Sequence, residues 1–152
     1  MQTIPPPLAP EGVAAWAARE ACRDLVMRSA LYTDARNAQA YAALFAENGE
    51  LQRPGGTTLH GRDAIHAAYA ARPASRLTRH MVSNCVVTMD GPTQAGALSY
   101  VLMWSGSTED ADTPSGRPAQ PQQMVGEYED RFVLVPEGWR IQSRQARFVL
   151  YR

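Results

Sequence analysis

From about Pro10 the apolar pattern is helical: Val13, Trp16, Ala17, Ala21, Leu25, Arg28 and Leu31 recur at three- and four-residue steps, with Arg19, Glu20 and Arg23 on other faces. This places Trp16 in the packing. Asp34-Ala35-Arg36-Asn37 interrupts the pattern, and Asn37 is placed to cap a second short helix over 38–46 with Tyr41, Leu44 and Phe45 as its stripe. Glu47-Asn48-Gly49 signals a turn. A strand over 50–53 and a partner over 57–60 flank Pro54-Gly55-Gly56. Gly61-Arg62-Asp63 opens a third helix with Ile65, Ala68 and Tyr69 inward, which Pro73 ends because the residue before proline is pushed out of helical geometry. Strands follow. Residues 77–89 lead to the turn Asp90-Gly91-Pro92, and 94–105 carries enough apolar side chains for a strand buried on both faces. Residues 124–135 and 139–151 flank Pro136-Glu137-Gly138.

Two segments stand apart. Residues 1–9 contain three consecutive prolines, which lack the backbone donor, so an extended arm is expected there and a single domain over 10–152. Residues 106–123 hold only Ala111 and Ala119 as hydrophobic entries and cannot bury enough to offset their ordering entropy; a mobile loop, over the cavity mouth or as a free tip, is expected. Helices first and a long antiparallel meander afterwards make the class α+β. Strands of this length twist, and a twisted sheet with helices on one face encloses a concave pocket, the usual place for a ligand.

Composition narrows the partners. The 152 residues suffice for one domain, and 15 basic against 15 acidic residues leave no net charge and no basic run for nucleic acid or an anionic membrane. Cys22 and Cys85 show no metal-ligand spacing and read as small buried hydrophobes in a reducing compartment; with three histidines in all, neither metal nor cofactor is expected. Met1–Pro7 has neither the basic nor the apolar part of a signal peptide, and no apolar run reaches spanning length, so the expected location is cytoplasmic.

The chemistry-bearing stretch is Thr78-Arg79-His80-Met81-Val82-Ser83-Asn84. Strand alternation puts His80, Val82, Asn84, Val86 and Thr88 on one face, and Arg79, Met81, Ser83, Cys85, Val87 and Met89 on the other. Such a histidine is commonly a hydrogen-bonded core residue, yet imidazole is also the side chain that titrates near neutrality without help. Asp34 before Asn37 is usually a turn or cap residue, with a partner for His80 as the other reading. Arg144 is usually a surface or ion-pair residue, although Ala146 and Phe148 on its face also allow an inward one. His60 and His66 read as structural. Tyr32, Tyr41, Tyr69, Tyr100 and Tyr128 read as core residues with a polar end to satisfy. There is no P-loop lysine after Gly55-Gly56-Thr57 and no nucleophile elbow.

Four signatures in order resemble the SnoaL-like branch of the nuclear-transport-factor-two-like superfamily, the group of scytalone dehydratase, lindane dehydrochlorinase, bile-acid dehydratases, polyketide cyclases and ketosteroid isomerase. They are Leu31-Tyr32-Thr33-Asp34 through Ala43-Leu44-Phe45, Gly61-Arg62-Asp63-Ala64-Ile65, the His80 stretch, and Tyr128-Glu129-Asp130-Arg131-Phe132 leading to Gly138-Trp139-Arg140-Ile141 and Arg144. The resemblance implies a cone-shaped α+β barrel, a curved, mostly antiparallel sheet wrapped around three N-terminal helices, enclosing an apolar pocket. It also implies a homo-oligomer, dimer or trimer, through the outer sheet face. Asp34 and His80 fall at the positions of the catalytic dyad of the dehydratase and dehydrochlorinase relatives, and Arg144 where the latter has an arginine near the leaving group. The chain departs from many relatives in having Asn37 in place of a second aspartate, and in its 106–123 segment.

Two functions follow as expectations. The first is a cofactor-independent lyase or isomerase acting by His80/Asp34 general-base proton abstraction, a dehydratase-like elimination, on a small apolar molecule, cyclic ones included. Arg144 would serve the developing charge, and Tyr32, Tyr41, Tyr69, Val82, Asn84, Tyr128 and Phe148 would form the substrate walls. The second is a non-catalytic ligand-binding or assembly module of the same fold, its dyad positions occupied but not aligned.

Overall fold

Alanine-rich sequence without glycine or proline carries helix α1 from Val13 to Asp34, in a computed structural model that describes residues 12–152. The arm expected over 1–9 lies outside the described residues. The face of α1 that packs inward is Arg19, Cys22, Leu25, Val26, Ser29 and Ala30, rotated from the expected stripe. Trp16 is 61% exposed, a correction to its packing role, and Arg19 is buried. The reason is hydrogen bonding that an apolar count does not register. Arg19 Nη1 donates to the Val87 carbonyl at 2.8 Å, and Ser29 Oγ donates to Val26 O at 2.6 Å.

Asn37 caps α2 (Ala38–Ala43) by accepting from the Ala40 N–H at 2.9 Å. The helix stops short of residue 46 because Leu44 and Phe45 turn into strand β1 (Phe45–Gln52): the Ile141 N–H donates to Leu44 O at 2.9 Å and ties this corner to the last strand. Strand β2 (Thr58–His60) returns antiparallel on β1. Helix α3 (Arg62–Ala70) buries Ile65. Four long strands follow: β3 (Arg76–Met89), β4 (Gln94–Ser107), β5 (Met124–Val135) and β6 (Gly138–Tyr151). The sheet order is β2-β1-β6-β5-β4-β3, with only β1 and β6 parallel. It is an open mixed sheet that curves around the helices, with β2 and β3 as its edges. Cys22, Val26, Phe45, Leu51, Ile65, Val87, Phe132 and Ile141 are the deepest apolar side chains between the two layers.

Three expectations about strands and loops are corrected. Strand β4 is not buried on both faces: Ala95, Ala97, Ser99 and Val101 point inward and are buried, whereas Tyr100 and Trp104 are exposed outward. Residues 106–123 fold back on the end of β4 and none of them lines the cavity. Gly106 bridges Ala119, the Gln120 N–H donates to Ser105 O at 2.7 Å, and Thr113 closes a turn on Gly116. Polar side chains and backbone supply the contacts that hydrophobic burial does not.

The third correction concerns β3. Its register with β4 shifts between Ser83 and Val86, and Asn84 there has a φ of 51°. This bulge inserts one residue and reverses the alternation. Thr78, His80 and Val82 face in before it, and Cys85 and Val87 face in after it, leaving Asn84 and Val86 exposed. Asn84 therefore does not share the face of His80. Asparagine tolerates left-handed backbone, whereas a β-branched side chain does not. Asn84→Val is expected to destabilise the fold by about 1–2 kcal/mol, and Asn84→Gly to leave it near wild type, in urea melts.

No helix among the described residues is long and apolar enough to cross a membrane.

Candidate active site

Asp34 is the last residue of α1, where a carboxylate opposes the negative end of the helix dipole. Three donors from β3 compensate. Thr78 Oγ1 donates to Oδ1 at 2.8 Å, the His80 backbone N–H donates to Oδ2 at 2.8 Å, and His80 Nδ1 lies 2.6 Å from Oδ1. Because β3 is an edge strand, its outward N–H is available for this bond. Both side chains are largely buried, at 11% exposure for His80 and 12% for Asp34. Burial pushes the Asp34 carboxyl up, but the hydrogen bonds from the His80 ring and backbone, the ring's charge and the Thr78 hydroxyl outweigh it, so the net pKa is lowered.

The sign of the linkage follows. Folded Asp34 releases its proton more readily than its unfolded counterpart, whose ordinary value is 3.8, so the unfolded state binds more protons between the two values. The stability contributed is complete above the unfolded value and is lost as pH falls through the folded one. Wild type is expected to lose stability below about pH 4 more steeply than Asp34→Asn, as read by denaturant melts at stepped pH.

When the ring is neutral, a carboxylate at Nδ1 sets the N–H there and leaves the lone pair at Nε2. Nε2 has no hydrogen-bond partner among the described residues, and His80 lines a cavity of about 250 Å³ between the sheet and the helices. Tyr41, Leu51, Tyr69, Val101, Tyr128 and Phe148 are among its walls. Tyr69 Oη donates to Tyr41 Oη at 2.9 Å, and the two rings stack with centroids 3.9 Å apart. Burial, reinforced by Tyr69, holds the Tyr41 phenol well above its ordinary value. Burial likewise pushes Tyr128 up, to about 12, against the opposing charge of Arg144. Both are therefore neutral O–H groups at pH 7, and Tyr128 Oη makes no hydrogen bond among the described residues.

Arg144 also lines the cavity, but most of its donors are committed. Nε and Nη2 donate to Asp130 Oδ1 and Oδ2 at 2.7 and 2.8 Å, and Nη1 donates to Ser29 Oγ at 2.7 Å. Its guanidinium carbon lies 4.2 Å from the Tyr128 ring centroid. Burial disfavours the charge, yet the Asp130 carboxylate and its hydrogen bonds outweigh burial and hold the group cationic. The pair is buried, at 3% exposure for Arg144 and 1% for Asp130.

Of the residues singled out from sequence, His80, Arg144, Tyr41, Tyr69, Tyr128 and Phe148 meet at the cavity, with Asp34 directly behind His80. Tyr32 and Val82 instead pack against the core cluster, and Asn84 is exposed in the bulge. Thr78, Ser29 and Asp130 were not anticipated. Asp130 was legible in principle, since it alternates with Tyr128 and Phe132 on the inward face of β5. Ser29 was not, because its donor comes from a strand 115 residues away. Among the described residues, no three His, Cys, Asp or Glu side chains converge as a metal site would require.

No curated protein matches the chain in sequence. Solved structures do match in fold. A protein from Novosphingobium aromaticivorans DSM 12444, provisionally named a scytalone dehydratase, superposes with a TM-score of 0.77 at 23% identity over 91% of this chain and 89% of its own. A type 2 hexachlorocyclohexane dehydrochlorinase gives 0.78 at 14% identity, with 92% and 90% covered. ActVI-ORFA of Streptomyces coelicolor gives 0.68 at 19%, with 85% and 95% covered. At these identities the likeness is one of fold. The sequence profile of the SnoaL-like domain matches residues 14–145, nearly the whole described chain, and the protein belongs to that family.

Proposed function

We propose that the protein is a small-molecule lyase or isomerase in which His80 removes a proton from carbon, most simply in a dehydratase-like elimination. The observation that carries this reading is the 2.6 Å contact of Asp34 with His80 Nδ1, which leaves Nε2 of this cavity-lining side chain without a partner among the described residues. In the elimination, Nε2 takes the proton from the carbon beside the one bearing the leaving group. The C–H electron pair becomes the new double bond, the bond to the leaving group breaks, and the imidazolium returns its proton to a departing hydroxide, giving water. Asp34 fixes the tautomer and stabilises the imidazolium by its charge. The Tyr128 hydroxyl, neutral and without a hydrogen bond among the described residues, is the donor for developing oxyanion charge, and Arg144, stacked on the ring with its charge retained, supports it from behind.

The family and its fold neighbours support this coarse class, since one neighbour is named a dehydrochlorinase and another a dehydratase. A second copy packed on the outer sheet face, where Met81, Val86, Tyr100 and Trp104 are exposed, is part of the same proposal. The test is an elimination assay over a panel of β-hydroxy and β-halo carbonyl or cyclic compounds, with wild type and His80→Ala side by side. Equal rates in the two proteins would leave only a binding module.

A further inference from the structure

We propose that the substrate carries an anionic group, a carboxylate or a phosphate, which Arg53, Arg72 and Arg76 hold at the mouth of the cavity while its apolar body extends to His80. This deepens the reading above and rests on it for the His80 end alone. The three arginines come from separate places in the fold: the turn after β1, the residue following the α3 cap, and the first residue of β3. All three line one cavity, and among the described residues no aspartate or glutamate lines it.

Their pairing is unlike that of many other arginines. Arg23, Arg28, Arg117, Arg131 and Arg147 each meet a carboxylate, and the buried Arg144 meets Asp130. Arg53 and Arg76 make no ion pair or side-chain hydrogen bond among the described residues. Arg72 meets no carboxylate either; its guanidinium carbon sits 3.9 Å from the Tyr69 ring centroid, and Tyr69 is itself stacked on Tyr41. Stacking of this kind fixes the plane of the guanidinium and leaves its edge N–H groups free to donate. Like charges gathered around a concave, low-dielectric wall repel one another, and an anion relieves that repulsion. The guanidinium fork matches the oxygens of a carboxylate or phosphate. Because the whole chain has no net charge, this cationic concentration is local to the cavity.

The strand sets the length of the ligand. Arg76, Thr78 and His80 alternate onto one face of β3 ahead of the bulge. Four residues at about 3.3 Å each separate the Arg76 and His80 Cα atoms by about 13 Å. A molecule with only a reacting centre would not span that distance, whereas one with an anionic head and an apolar body would.

The experiment is isothermal titration of octanoate, octyl phosphate and octanol, which share a tail and differ in head, into wild type, Arg53→Gln/Arg76→Gln and His80→Ala. Wild type is expected to bind at least one of the anions about tenfold or more tightly than octanol, and the preference is expected to shrink as ionic strength rises. The tighter of the two anions identifies the head group. In Arg53→Gln/Arg76→Gln the preference should fall towards one while octanol affinity holds. Equal affinity for octanol and both anions, no measurable anion binding at millimolar ligand, or a preference that survives the double substitution would overturn the proposal. His80→Ala keeps all three arginines and should keep the preference. If its elimination rate equals wild type while the arginine-dependent preference persists, the base assignment fails and the anion site stands. The reverse outcome removes the anion site alone.

Discussion

In the His80→Ala protein the rate of elimination is expected to fall by about 10²–10⁴-fold, the span over which a positioned general base accelerates proton transfer. Asp34→Asn is expected to cause a loss of the same order by a different route. Asparagine presents either an amide N–H or a carbonyl to Nδ1 and carries no charge, so it neither enforces the Nδ1–H tautomer nor stabilises the imidazolium. Substrate binding separates the two effects from misfolding, because His80 stands about 13 Å along β3 from Arg76 and Asp34, behind His80, does not line the cavity. The expected pattern is a fall in kcat with KM little changed. The Asp34→Asn rate should also lose its dependence on a base held in one tautomer, which shows as a changed pH profile. A variant lacking either side chain but retaining wild-type kcat on an established substrate would remove the dyad from the mechanism.

The second large effect is on stability. Asp130→Ala strands the buried, cationic Arg144 guanidinium without its carboxylate, and breaking a buried pair from one side costs about 3–5 kcal/mol. For a domain whose whole stability is about 5–15 kcal/mol, that is a large fraction, and at about 2–4 °C per kcal/mol it lowers Tm by roughly 6–20 °C. Replacing both partners, Asp130→Leu with Arg144→Met, is expected to recover most of the loss, because two desolvated charges are then exchanged for apolar packing. Ser29 keeps one bond in that variant, to Val26 O. Guanidinium melts of the three proteins measure this. A cost below about 1 kcal/mol for Asp130→Ala, the range of exposed ion pairs, would show that the pair is not desolvated in solution. The double variant has a further use: it folds without the charge beneath Tyr128, so its kcat reports what Arg144 contributes to the chemistry.

Asn84 and Arg144 mark where reading the chain succeeds and where it stops. The element order, the cap at Asn37, the end of α3 ahead of Pro73 and the strand boundaries near Met89 and Val135 were legible, because capping, proline geometry and alternation act within a few residues. Asp34 and His80 were singled out by the family resemblance. The side facing inward was legible only while alternation ran unbroken. A single left-handed residue at Asn84 reverses it, and the apolar run on either side carries no mark of the reversal. On α1 the apolar count favoured Trp16, whereas the buried positions include Arg19 and Ser29, whose partners Val87 and Arg144 lie 68 and 115 residues away.

The sequence by itself indicated an α+β chain of the SnoaL-like kind, and that resemblance singled out Asp34 and His80 as the candidate pair. Tertiary structure alone decided that they meet through two hydrogen bonds while Thr78 supplies a third to Asp34, that Arg144 is bound to Asp130, and that three arginines from separate elements line one cavity. Local patterns follow from forces between neighbours in sequence. A site of this kind depends on distances between residues far apart in the chain, which only the curvature and register of the sheet fix.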